Sequence, residues 1–187
     1  MKEIRWHGRG GQGAKTASQL LADINLQEGK FVQSFPEYGP ERSGAPIKAF
    51  NRVADADIKI HSGVDQPDIV AVIDPTLLTA ANPTEGLTSD SIMLVNTPND
   101  SEWVREKTGF EGTIHAFDAT KIANEAGSGY ANVPVLGGLA SILGSDIEIV
   151  VKEVEKALGK KLPEEVVEKN IEALRKGYET IGQTVTA

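Results

Sequence analysis

Cysteine is absent from these 187 residues. The chain therefore has no disulfide framework, no thiolate nucleophile, and no cysteine ligand for a zinc ion or an iron–sulfur cluster. Histidine is almost as scarce, with His7, His61 and His115 far apart in the sequence, and no metal-ligand spacing emerges. Each reads better as a packed or hydrogen-bonded residue than as a ligand. No apolar run approaches the roughly 18 residues of a membrane span, and the charged first residues do not form a signal peptide, so a cytoplasmic protein is expected. Positive charge is also in deficit: 19 Lys and Arg against 27 Asp and Glu leave a net charge of -8. Nonspecific attraction to nucleic acid or to an anionic membrane is thereby excluded as the main business, and any anion site must be local. Repeats, low-complexity tracts and heptads are missing too.

What is present is one domain's worth of α/β pattern over residues 1–187. A short apolar stretch, Ile4 to Trp6, runs into the cluster Gly8-Arg9-Gly10-Gly11-Gln12-Gly13 and then into good helix formers with apolar residues at Ala17, Leu20, Leu21 and Ile24. That order predicts strand, tight turn and helix. Glycines permit positive φ and close backbone approach, and the first helical turn presents N–H groups to an anion. Gly8, Gly10 and Gly13 match G-x-G-x-x-G, the form used for dinucleotide pyrophosphates, but the same glycines also suit a close turn that holds no ligand. The acidic ribose partner of the dinucleotide motif stands about 20 residues further on, where Glu37 is the nearest candidate, inside a Pro/Gly-rich stretch. A P-loop is excluded, because Ala14 separates Gly13 from Lys15-Thr16 and turns the lysine about 100° round the helix.

Gly29 is placed to end the first helix and Phe31–Phe35 reads as a second strand. Residues 36–46, with Pro36, Pro40 and Pro46, are too broken for either regular element, while Arg42-Ser43-Gly44 offers a guanidinium, a hydroxyl and a main-chain N–H in succession, a set suited to phosphate or carboxylate. Ile47–Val53 and Ile58–Ser62 alternate apolar and polar, and together predict an inserted antiparallel hairpin. Ile69–Ile73, Ser91–Asn96 and Thr113–Asp118 read as buried parallel strands with Asp74, Asn96 and Asp118 at their ends, residues that either converge on a crevice at the carboxyl edge or merely cap the next turn or helix. Helices are expected over 100–107, 119–125 and 133–143, followed by an appendage of two amphipathic helices at about 146–182. The fold class is a Rossmann-like open, mostly parallel sheet with helices on both faces. No G-x-S-x-G elbow is present, and no residue is assigned a catalytic or metal-binding role.

His7 to Gly13, Ser34 to Pro46 and the Ile69–Ile73 run with Asp74-Pro75 together resemble the gamma subunit of the 2-oxoacid:ferredoxin oxidoreductases, most like the pyruvate enzyme, over about Ile4 to Leu143 including Gly137-Gly138. The resemblance implies a cytoplasmic, oxygen-sensitive enzyme that decarboxylates pyruvate oxidatively, forms acetyl-coenzyme A and reduces ferredoxin. It further implies alpha, beta and delta partner subunits that carry thiamine diphosphate, Mg2+ and [4Fe–4S] clusters, none of which this chain would bind. Its own share would be assembly and the approach of coenzyme A, with Gly8, Arg9, Gly10, Gly11, Gln12, Gly13, Arg42, Ser43 and Gly44 as the binding residues. A regulatory module for NAD or FAD, a 2-oxoglutarate or branched-chain oxoacid enzyme, and a scaffold without a ligand are the competing readings.

Overall fold

The computed structural model describes residues 1–37 and 44–185. Strands β1 (Lys2–Arg9), β2 (Phe31–Pro36), β3 (Pro46–Ala54), β4 (Ile69–Val72), β5 (Ile92–Asn96) and β6 (Thr113–Phe117) form one sheet in the order β2-β3-β1-β4-β5-β6. β1, β4, β5 and β6 are parallel, while β3 is antiparallel to both β1 and β2. Helix α1 (Ala14–Gln27) follows β1, and α2 (Leu77–Ala80), α3 (Ser101–Thr108), α4 (Ala119–Ala126), α5 (Asn132–Leu143), α6 (Ile147–Leu158) and α7 (Glu164–Val185) complete the chain.

The continuous apolar runs are explained by the pleat, since alternate residues face opposite layers. Ile4, Trp6, Ile69, Ala71, Ile73 and Leu94 pack toward α1 and α4 to α7, and Val70, Val72, Met93 and Val95 toward α2, α3 and Phe110. Helices thus lie on both faces, as expected from the alternation of strand and helix patterns. The helix starts follow their caps: Asp100, Asp118 and Asp146 accept the main-chain N–H groups of Trp103, Lys121 and Glu148. Gly29, at φ 78°, lies just past the end of α1.

The hairpin has a different second strand from the expected one. β3 pairs with β2, whereas 58–62 forms no strand. Both edges of β3 are already occupied by β1 and β2, so the alternating segment has no ladder to join. It lies instead as irregular cover, with Ile60 44% exposed. Arg52, itself buried, fastens the end of this cover: its Nη2 donates to the carbonyls of Ser62 and Gly63, each at 2.8 Å, and its Nε to Glu3 at 2.7 Å, while the guanidinium lies over the Phe35 ring.

The last two helices, expected as an appendage, share the core. Leu174 and Ile181 of α7 are buried in the α1/α5 layer, and α7 approaches α5 so closely that a Cβ on Gly177 would collide with the Pro134 carbonyl and one on Gly137 with that of Leu174. The single turn α2 had no signal in the sequence, being too short for a helical period.

Candidate functional site at the carboxyl edge of the sheet

Each glycine of the turn has a separate reason to be there. At Gly8 a Cβ would stand 3.0 Å from that of Ala14, so the close strand-to-helix approach favours a bare backbone. Gly13 lies at φ 81°, and a Cβ there would also collide with the Asn132 side chain at the start of α5. Gly11, at φ 95°, faces open space. Gly10 is stitched to the far end of the β2–β3 connection: its N–H donates to the Ala45 carbonyl at 2.9 Å, and its own carbonyl accepts from Gly44 N–H at 3.1 Å. The stretch read as an anion set is thereby tied to the glycine turn through Gly44. Arg42 and Ser43 lie outside the described residues.

Arg9 and Gln12 are held by their neighbours. The Gln12 amide oxygen accepts Arg9 N–H at 2.8 Å, and its nitrogen donates to Asp74 Oδ2 at 2.6 Å. That orientation of the amide is forced, because a backbone N–H can only donate and a carboxylate only accept. The Arg9 guanidinium donates to Thr76 Oγ1 at 2.7 Å and to the Gly44 carbonyl at 3.0 Å, and pairs with Asp74 at 3.2 Å. Thr76 closes the network, its N–H and Oγ1 donating to Asp74 Oδ1 at 2.9 and 2.6 Å. Burial raises the Asp74 pKa, but the Thr76 and Gln12 hydrogen bonds and the Arg9 charge outweigh it and hold the carboxyl below its ordinary value.

Behind the turn, no side chain among the described residues caps α1 and its first turn carries no acidic residue. The N–H groups of that turn thus have no side-chain cap among the described residues, and the positive end of the helix dipole lies with them. A cavity of about 580 Å³ opens beside this turn, lined by Lys15, Thr16, Leu20, Leu158, Lys160 and Lys161.

Of the strand-end acids and amides, only Asp74 joins the glycine turn. Asn96 is buried and links the end of β4 to the start of α4, donating to the Ile73 carbonyl at 2.7 Å and accepting from Thr120. Asp118 caps α4. Glu37 pairs with Lys48 at 3.6 Å, at the end of a strand that β3 separates from β1. Among the described residues no group of His, Asp and Glu could hold a metal ion, and no helix is long and apolar enough to cross a membrane.

On the opposite face the structure buries Arg5, which the sequence showed only as part of a strand, and His7, packed and hydrogen-bonded as expected. Arg5 donates from Nε to His7 Nε2 at 3.1 Å and from Nη2 to the carbonyls of Pro83 and Glu85. Burial, then the charges of Arg5 and Lys48, push the His7 imidazole down to a pKa of about 3. A second cavity of about 500 Å³ borders Arg5, Phe35, Lys48 and Phe50.

The family model for pyruvate ferredoxin/flavodoxin oxidoreductase matches residues 3–180. The chain is 55% identical over 181 residues to the pyruvate synthase subunit PorC of Thermotoga maritima, covering 96% of this chain and 94% of that protein. The crystal structure of that organism's pyruvate oxidoreductase subunit PORC superimposes with a TM-score of 0.83 at 50% identity, covering 96% of this chain and 97% of that one. The gamma subunit common to the pyruvate and ketoisovalerate oxidoreductases of Pyrococcus furiosus is 42% identical, with 96% of each chain covered. At 19% identity, 98% of this chain and 32% of the longer one, a 2-oxoglutarate:ferredoxin oxidoreductase from Magnetococcus marinus, solved with 2-oxoglutarate, coenzyme A and succinyl-CoA, has the same fold with a TM-score of 0.79. By its sequence over nearly its whole length and by its architecture, this chain belongs to the pyruvate ferredoxin/flavodoxin oxidoreductase family.

Proposed function

We propose that this chain is the gamma subunit of a cytoplasmic pyruvate:ferredoxin oxidoreductase, and that its own chemical contribution is to hold the phosphates of coenzyme A at the glycine turn. The observation that carries the reading is the first turn of α1 behind Gly11 and Gly13, which no side chain among the described residues caps and which is stitched through Gly10 to the segment bearing Arg42, Ser43 and Gly44. Main-chain N–H groups and one helix dipole supply a local positive potential on a chain of net charge -8, which is what a phosphate needs without a field that attracts every anion. Gly8 and Gly13 keep the turn tight, Arg9 and Gln12 hold its shape, and Arg42 with Ser43 supplies side-chain donors. The 2-oxoglutarate enzyme of the same fold, solved with coenzyme A, supports looking for the coenzyme in such a complex.

The redox and decarboxylation chemistry belongs to the alpha, beta and delta partners. Cluster iron requires thiolates that this chain lacks, so the [4Fe–4S] clusters do not fit here, and thiamine diphosphate with its Mg2+ is assigned with them to the partners. The choice of oxoacid also lies elsewhere: the Pyrococcus relative serves both pyruvate and ketoisovalerate enzymes, so a gamma chain of this kind is compatible with more than one 2-oxoacid. The dinucleotide alternative is disfavoured by topology, because β3 intervenes between β1 and β2 and carries Glu37 away from the turn by one further strand spacing, about 4.8 Å.

The test is steady-state kinetics of the complex reconstituted with Arg42→Ala, with coenzyme A varied at saturating pyruvate and ferredoxin. A charge-assisted hydrogen bond to phosphate is worth about 1.5–3 kcal/mol, so the KM for coenzyme A should rise roughly ten- to a hundredfold. Arg42→Lys should recover part of it, and the KM for pyruvate should stay put. An unchanged coenzyme A dependence in an intact complex would remove Arg42 from the site.

A further inference from the structure

We infer that Asp74 is a positioning residue for the anion site: its carboxylate fastens the glycine turn through Gln12 and Arg9, and neutralises Arg9 so that the anion is met by main-chain N–H groups rather than by that guanidinium. This rests on the glycine turn being the coenzyme site.

The placement follows from the sheet. β4 is the parallel neighbour of β1, and the ladder continues past its end, with Ile73 N–H donating to the His7 carbonyl at 2.8 Å. Asp74 therefore emerges level with the turn. Its side chain is only 13% exposed, and each oxygen serves one side of the crevice. Oδ1 accepts both donors of Thr76, and Oδ2 accepts Gln12 and pairs with Arg9. Through Arg9, whose Nη1 reaches the Gly44 carbonyl, the same carboxylate is linked to the end of the β2–β3 connection. Three segments distant in sequence, 9–13, 44–45 and 74–76, thus take their relative positions from one acceptor-only group. An arginine already paired with a carboxylate and two neutral acceptors has little left to give a phosphate, whereas no side chain among the described residues caps the N–H groups at the start of α1.

Asparagine is the discriminating substitution. Its amide has one oxygen, so in either orientation its NH2 faces donors, either those of Thr76 or those of Gln12 and Arg9. Half of the network is lost at constant size. In the reconstituted complex, Asp74→Asn should raise the KM for coenzyme A about tenfold or more, since small displacements of binding groups carry penalties of that order, with the KM for pyruvate within about twofold of the parent. Asp74→Glu, which restores the charge on a longer arm, should recover part of the effect. Gly11→Val, which strains and blocks the turn itself, runs alongside. If Gly11→Val raises the KM for coenzyme A and Asp74→Asn does not, the positioning role is overturned while the coenzyme reading stands. If neither moves it, the coenzyme reading fails and the inference falls with it. If Asp74→Asn lowers the melting temperature and impairs both substrates equally, the carboxylate is merely structural and the inference is again refuted.

Discussion

Acidification from pH 7 to pH 5 should cost this fold about 2 kcal/mol through His7 alone. The imidazole sits on β1 facing away from α1, 1% exposed, with its Nε2 already accepting the Arg5 Nε–H. It is neutral in the folded chain because burial and the Arg5 and Lys48 charges hold its pKa to about 3. In the unfolded chain the group returns to its ordinary value of about 6.5. Below that value the unfolded state binds a proton that the folded state refuses, so stability is fully present above about pH 6.5 and falls by about 1.4 kcal/mol per pH unit until about pH 3. Integrated between pH 7 and 5, that slope yields about 2 kcal/mol. The assay is urea unfolding of the chain and of His7→Gln at both pH values. Glutamine can offer Arg5 an acceptor oxygen but does not titrate, and the shared contribution of His115, which burial also pushes down, cancels in the comparison. The parent chain should lose about 2 kcal/mol more than the variant. Equal losses would show that His7 is solvated or charged in the fold, and would refute the burial argument.

Gly177→Ala should destabilise by at least about 2–3 kcal/mol in a thermal melt, because the added methyl meets the Pro134 backbone and neither helix can step aside. Arg52→Met should cost a similar amount, about 2–3 kcal/mol, by leaving Glu3 and the Ser62 and Gly63 carbonyls without their donor, and proteolysis within residues 58–64 should accelerate. Asp100→Ala should remove about 1 kcal/mol by uncapping α3, measurable as a shift in the urea midpoint.

The elements that could be read from sequence are those in which one residue's neighbours decide its state. Ile69–Ile73 is buried on both faces and says so by being apolar throughout, and Asp146 followed by Ile147–Leu158 has both cap and period, so α6 falls within the 146–182 stretch where two amphipathic helices were expected. The partner of β3 was not legible, since alternation at 58–62 describes a surface and says nothing about whether a ladder edge is vacant. Arg5 and Arg52 escaped notice for a related reason: a charged residue in an alternating strand reads as outward-facing, and only the irregular segments laid over them make that face an interior. At the candidate site the glycine turn was plain from its spacing, and Asp74 from its place at a strand end. The bond that joins them spans 62 residues and leaves no local trace, so Arg9 and Gln12 looked like open donors when they are engaged within the chain.

The seam between α5 and α7 bears on how the protein is made. α5 is buried nearly throughout from Asn132 to Ala140, and part of its cover is Leu174 and Ile181, residues that leave the ribosome more than thirty positions later. Until they do, one of the most apolar segments of the chain has no lid, and it cannot be satisfied by a looser helix because the seam admits only glycine at 137 and 177. The growing chain therefore passes through a stage in which β1 to β6 are complete and the sheet's main helical layer is still open, a natural moment for chaperone binding or aggregation. A partner subunit that docks against this helical layer meets a finished surface only once α7 has closed over α5.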